Sequence, residues 1–281
     1  MALIWPMKYA DLWQSAGLSI NQQPMNFWMT KLSGWRFGKN YSPNKLITSV
    51  FSISLFAAFA GVGIGSAARA ADEDGVALAI VYDTSGSMKE AVADRSGKPA
   101  PKYTIADRAL IAIARQVQSF MTNASGVNRR IDAGLFIFNS PGAREVVKFG
   151  PFDEAAIENW ARNFANPVGN TPLGNALNTA AQAVLRSPLS RKHVLVITDG
   201  LSNTGPSPAA VMPKLTLQAQ QQHTQLSVHF VAFDVDAKVF NPVKKLGATV
   251  VGASDETQLN SQLQFILQKK ILLEEEEPAK K

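Results

Sequence analysis

The stretch from Val76 to Met88 reads VALAIVYDTSGSM. Its Val, Ile and Ala residues run on without alternating with polar ones, the pattern of a strand buried on both faces in a parallel sheet. The run stops at Asp83 and is followed by two hydroxyls, Ser85 and Ser87, one residue apart on a turn containing Gly86. In open α/β sheets, ligand sites lie at the carboxyl ends of such strands. Hard oxygen groups gathered on a short turn suit a small divalent cation. With no Cys anywhere in the chain, Mg²⁺, Mn²⁺ or Ca²⁺ is expected rather than Zn²⁺.

Two further stretches offer oxygens to the same site. Gly169-Asn170-Thr171-Pro172-Leu173-Gly174 places a threonine before a helical pattern, and the apolar run from Val194 ends in Thr198-Asp199-Gly200. Together they make Asp-x-Ser-x-Ser, a downstream Thr at a helix start, and an Asp at a second strand end. From about Gly75 to Leu272 this arrangement resembles the von Willebrand factor type A domain. The resemblance implies a metal-ion-dependent adhesion site at Asp83, Ser85, Ser87, Thr171 and Asp199, holding an acidic group of a protein partner through the ion. If the three hydroxyls bind the ion directly and the carboxylates partly through water, the ion keeps enough positive charge to seek another carboxylate. Taken singly, the same residues also read as turn and capping residues, with Thr171 as an N-cap ahead of a proline at the first helical position.

Outward from the first strand, the pattern alternates strand and helix. The segment 89–102 reads as a polar excursion, and a helix from Thr104 carries Ala106, Leu110, Ile113, Val117, Phe120 and Met121 on one face. Residues 130–139 and 145–149 read as a hairpin, 152–164 as a short helix with Trp160 in the core, and 173–184 as a helix. A strand over 193–198, a polar loop to Pro208, a helix to about His223 and a strand over 226–233 follow. The remainder reads as a short helix over 240–246, a strand over 248–252 and a closing helix over 255–273. The fold class expected is α/β, a Rossmann-like, doubly wound, mainly parallel six-stranded sheet with one antiparallel edge strand. In the order 3-2-1-4-5-6, the Asp83 and Asp199 strands flank the topological switch point. Asp234 and Asp236, at another strand end, read as solvated residues.

The chain has 281 residues, 46% hydrophobic and 18% charged, enough for one sizeable domain and an appendage. The domain expected spans 71–273, preceded by an extension over 1–70 and followed by a charged tail over 274–281. Much of the net charge of +6 falls before Ala71, in Lys8, Lys31, Arg36, Lys39, Lys45 and Arg69 against Asp11, which argues against a nucleic-acid surface on the domain. The uncharged run 46–66, after Lys45 and before Ala68-Arg69-Ala70, reads as a secretory signal cleaved after Ala70, with a retained membrane anchor as the alternative. An exported protein, periplasmic or secreted, is expected in the first case and one anchored through 46–66 in the second. Translation from Met25 or Met29 is an alternative start.

Four enzyme classes lack their residues. Neither Gly-x-Gly-x-x-Gly after the first strand nor a phosphate-loop lysine motif is present, and Gly-x-Ser-x-Gly is absent. An aspartyl phosphotransferase of the haloacid dehalogenase type would want an acid at position 85, where the chain has Ser85. His193, His223 and His229 read as structural or surface residues. The expected function is a metal-dependent protein-binding module rather than an enzyme. The alternative is a metal-dependent enzyme or an accessory subunit of an envelope complex using the same ion.

Overall fold

The computed structural model describes residues 73–123, 130–139 and 142–273. The extension, the run 46–66 and the tail lie outside the described residues. Among those described, no helix is long and apolar enough to cross a membrane.

The central strand β1 (Glu73–Tyr82) is buried from Val76 onward, as its unbroken apolar run requires. It pairs in parallel with β4 (Ile131–Asn139) on one side and β6 (Leu189–Thr198) on the other. Beyond β4 lies β5 (Gly142–Pro151), antiparallel and at the edge. Beyond β6 lie β7 (Leu226–Phe233) and β8 (Thr249–Ala253), both parallel. The order β5-β4-β1-β6-β7-β8 is the one expected, with five parallel strands and one antiparallel edge strand. Its switch point falls between β1 and β6.

Successive residues of a strand face opposite sides, so the sheet carries two cores. Leu78, Ile80 and Tyr82 pack with α1 (Lys102–Thr122), α2 (Glu154–Asn163) and α6 (Glu256–Ile266). Ala77, Ala79 and Val81 pack with α3 (Leu173–Arg186), α4 (Pro208–Gln221) and the short α5 (Asn241–Lys244). Small Ala residues on the second face of β1 let α3 approach closely. Tyr82, just before Asp83, is locked by edge-on contacts with Trp160 at 5.3 Å and Phe164 at 5.9 Å. Its phenolic oxygen lies 2.7 Å from Asp107 Oδ1. Trp160 is therefore a packing residue, as expected.

Two elements depart from the sequence reading. The polar excursion contains a small hairpin, β2 (Ala91–Ala93) with β3 (Pro99–Pro101), which turns where Asp94 Oδ1 accepts from the amides of Ser96 and Lys98. Three-residue strands containing proline leave almost no periodicity to read. The closing helix is regular only to Ile266 and continues as a π-helical turn over Leu267–Leu272 that buries Leu267, Ile271 and Leu272.

His193 and His229 are both buried and stacked, with Nδ1 of the first 3.3 Å from Nε2 of the second. His223 is exposed at the end of α4. Burial, then the neighbouring charges of His229 and Arg191, pushes His193 down to about 3. Burial and Lys270 push His229 down to about 4. Both values lie below the unfolded value of about 6.5, so the unfolded chain takes up these protons first. The stability of the neutral pair is complete above about pH 6.5 and is lost as pH falls toward 4 and below. At pH 4.5, His229→Leu should gain about 2 kcal/mol on the wild type relative to their difference at pH 7.5. Urea unfolding of both proteins at the two pH values checks this, because the carboxylates titrate alike in each.

Candidate metal centre

The end of β1 delivers Asp83 into a turn whose geometry is set from below. Met88 is fully buried in the core under the 3-10 turn Gly86–Lys89, which presents Ser85 and Ser87 above it. The Ser85 amide donates to Asp83 Oδ1 at 2.8 Å, and the Thr198 hydroxyl, from the end of β6, donates to Asp83 Oδ2 at 2.6 Å. The Ser85 and Ser87 hydroxyl oxygens lie 3.1 Å apart, and Ser87 donates to Asp199 Oδ1 at 2.8 Å. One hydrogen-bonded chain therefore runs through four of the five expected residues.

Thr171 reaches the same place through its backbone. The Gly86 amide donates to Gly169 O at 3.1 Å and the Val168 amide to Thr84 O at 2.8 Å, so the loop before α3 is stitched to the serine turn. Gly169 allows this at a φ of +94°, a region that side chains disfavour. The Thr171 amide donates to Asn203 Oδ1 at 2.8 Å. Its hydroxyl makes no hydrogen bond among the described residues, to the other four or elsewhere. The N-cap of α3 is Pro172 and no side chain caps the helix, so Thr171 is not the capping residue that the alternative reading assumed.

Asp83, Ser85, Thr171 and Asp199 are buried, while Ser87 is half-buried and Gly86 exposed, so the group meets solvent at the serine turn. Burial, reinforced by the nearby charge of Asp199, pushes Asp83 up to about 6 despite the hydrogen bonds from Ser85 and Thr198. Two buried carboxylates close enough to disturb one another call for positive charge. Among the described residues no three His, Asp or Glu side chains cluster as a metal site. The donor set is two carboxylates and three hydroxyls, all hard oxygens, and it fits a small divalent cation.

Three residues of the centre escaped the sequence reading. Thr198 and Asn203 carry no pattern that separates them from other strand-end and loop residues. Lys102 opens α1, where a cation opposes the helix dipole. With the helix expected only from Thr104, that mismatch is not legible in the sequence. Its ammonium is buried, 3.0 Å from Asp199 Oδ2, 2.8 Å from Glu90 Oε2 and 3.2 Å from Asp234 Oδ2. Burial alone would lower its pKa, but the hydrogen bonds to Glu90 and Asp199 outweigh this and hold it well above the usual lysine value. Asp234 is therefore paired rather than merely solvated, whereas Asp236 caps the turn at Ala237–Phe240.

Residues 78–202, which include all five expected ligands, match the family model described as von Willebrand factor type A domain. No curated protein matches the chain. Among solved structures, the PilB minor pilin from Streptococcus sanguinis superposes with a TM-score of 0.53 at 14% identity, over 70% of this chain and 61% of the pilin. A mutant of the same pilin gives 0.54 at 14% identity over the same shares. Proximal thread matrix protein 1 from the mussel byssus, solved with a zinc occupied MIDAS motif, gives 0.46 at 15% identity, over 70% of this chain and 48% of that one. This chain thus spans less than two thirds of each, and at such identities the pilin likeness concerns the fold. Residues 78–202 thus match the von Willebrand factor type A model, and they supply strands to a six-stranded, mainly parallel sheet with one antiparallel edge strand.

Proposed function

We infer that the protein is a metal-dependent binding module, in which Asp83, Ser85, Ser87, Thr171 and Asp199 hold a divalent cation, Mg²⁺ first and Mn²⁺ or Ca²⁺ as substitutes, that takes an Asp or Glu carboxylate of a protein partner. The observation that carries this reading is the hydrogen-bonded run through Asp83, Ser85, Ser87 and Asp199, which holds two buried carboxylates whose charges are only partly met. When bound, the ion supplies a Lewis-acidic position for the partner's carboxylate. The chain's own residues orient and neutralise it: Thr198 and the Ser85 amide fix Asp83, and Ser87 links to Asp199.

The surroundings favour docking over turnover. Val168 and Leu201, in the two loops that frame the centre, are 59% and 53% exposed. Apolar side chains rimming a polar pocket suit a protein interface. The buried histidines sit in mid-strand, and Asp83 and Asp199 are engaged by hydrogen-bond donors, which supports docking. The uncharged run 46–66 and the Ala68-Arg69-Ala70 that follows it support an exported protein, or one anchored through 46–66.

Capture of partners from an envelope extract by the full chain should succeed with Mg²⁺ and fail with chelator. Leu201→Ser should weaken capture by about tenfold and leave the Mn²⁺ affinity nearly unchanged, because that side chain is exposed and supplies no oxygen to the ligand set. Capture that is indifferent to chelator would refute the reading.

A further inference from the structure

The β2–β3 hairpin fixes where Lys102 enters the centre. Pairing of Ala91 with Pro101 returns the chain to its starting point, so that the Lys102 amide donates to Glu90 O at 2.8 Å. The Lys102 side chain is then driven into the centre, with 3% of its surface exposed. It meets carboxylates from three separate places: Glu90 before the hairpin, Asp199 after β6 and Asp234 after β7. The two oxygens of Asp199 are divided, Oδ2 to the ammonium and Oδ1 to Ser87. A divalent ion held by Asp199 therefore shares that carboxylate with a lysine that the fold does not let withdraw.

We propose that Lys102 is a tethered resident cation, which holds Asp199 in its ligating orientation before any ion arrives and lowers the affinity of the centre for divalent ions. The inference rests on the reading of the five residues as an ion site and deepens it. A fixed positive charge touching a ligand carboxylate repels an incoming ion, and it stabilises the ion-free fold by compensating a buried carboxylate. Lys102 is a positioning residue, acting on the ion through Asp199. Glu90 and Asp234 are 68% and 39% exposed in their side chains, so water can take over from the lysine there. At Asp199, whose side chain has no exposed surface, it cannot.

The test is Mn²⁺ titration and thermal melting of the full chain as wild type, Lys102→Met, Lys102→Gln and Lys102→Arg. Met fills the space without charge, Gln retains a donor, and Arg retains the charge. The uncharged variants should bind Mn²⁺ about tenfold or more tightly. They should melt roughly 10 °C lower without the ion and recover much of that loss when it is added, whereas Arg should stay near the wild type. If Met fails to fold, Gln, with its donor to Asp199, carries the comparison. Ion binding to the Gln variant but not to the wild type also supports the proposal. Unchanged or weaker Mn²⁺ affinity in a folded uncharged variant, with the wild type binding normally, overturns the proposal and leaves the ion site standing. No Mn²⁺ binding to any of the four folded proteins overturns both.

Discussion

Asp83→Asn is expected to stabilise the ion-free protein by about 2 kcal/mol at pH 7.5 while weakening Mn²⁺ binding by about 100-fold or more. Asp83 lies fully buried beside Asp199, and burial with that neighbouring charge lifts it to about 6. Its folded value is above its unfolded one, so holding it ionised above pH 6 costs folding free energy; the cost is absent below the unfolded value and complete above the folded one. An Asn is neutral and can keep the geometry. Its carbonyl accepts from the Ser85 amide as Asp83 Oδ1 does, and its amide donates to Thr198, whose hydroxyl turns to Gly200 O, already 3.1 Å away. Ion binding, by contrast, loses a negative charge at the centre. A residue that serves only to pack the turn would show the opposite, a loss of stability on substitution. Thermal melts with and without Mn²⁺ distinguish the two.

Gly174→Ala should cost about 3 kcal/mol. A Cβ at this first turn of α3 would lie 2.1 Å from Pro206 O and 2.9 Å from Ser207 C. These are backbone atoms with no rotamer to yield, so the 201–207 loop must move away. That loop carries Asn203, which fixes the Thr171 amide, and Ser202, whose hydroxyl donates to Thr171 O at 3.2 Å. The substitution should therefore weaken Mn²⁺ binding as well as the fold, although Gly174 lies outside the ligand set. Gly150→Ala is the control, since a Cβ there meets nothing within 4 Å and should leave both properties nearly unchanged. Urea unfolding and Mn²⁺ titration of the two variants make the comparison.

What could be read in the sequence follows from how each feature writes itself into residues. Strands β1 and β6 are buried on both faces, so every residue from Val76 to Tyr82 must be apolar, and a polar residue at position 83 can only mark the strand's end. The same holds for Val194 to Ile197 before Thr198 and Asp199. Helix spacing on α1 and α3 is plain because each has a single buried face. The hairpin β2–β3 was hidden because most of its residues contact solvent rather than a core. Lys102, Thr198 and Asn203 were hidden for another reason. Their roles arise from pairing across the fold, between positions separated by 97, 115 and 32 residues, and nothing in the local pattern records such a partner. Thr171 is placed at the site by resemblance, and only the structure shows that Pro172, not Thr171, is the N-cap of α3.

The central claim is that β1, β6 and the loop before α3 converge to hold one divalent cation with a position left for a partner's carboxylate. Calorimetric titration of Mn²⁺ into the full chain, with and without a short acidic peptide, tests it most directly. One ion per chain is expected, lost in Asp83→Asn, with tighter ion binding when the peptide is present, because ion and carboxylate must strengthen each other to the same degree. A folded chain that binds no ion even with the peptide, or binds it equally well after Asp83→Asn, would contradict it.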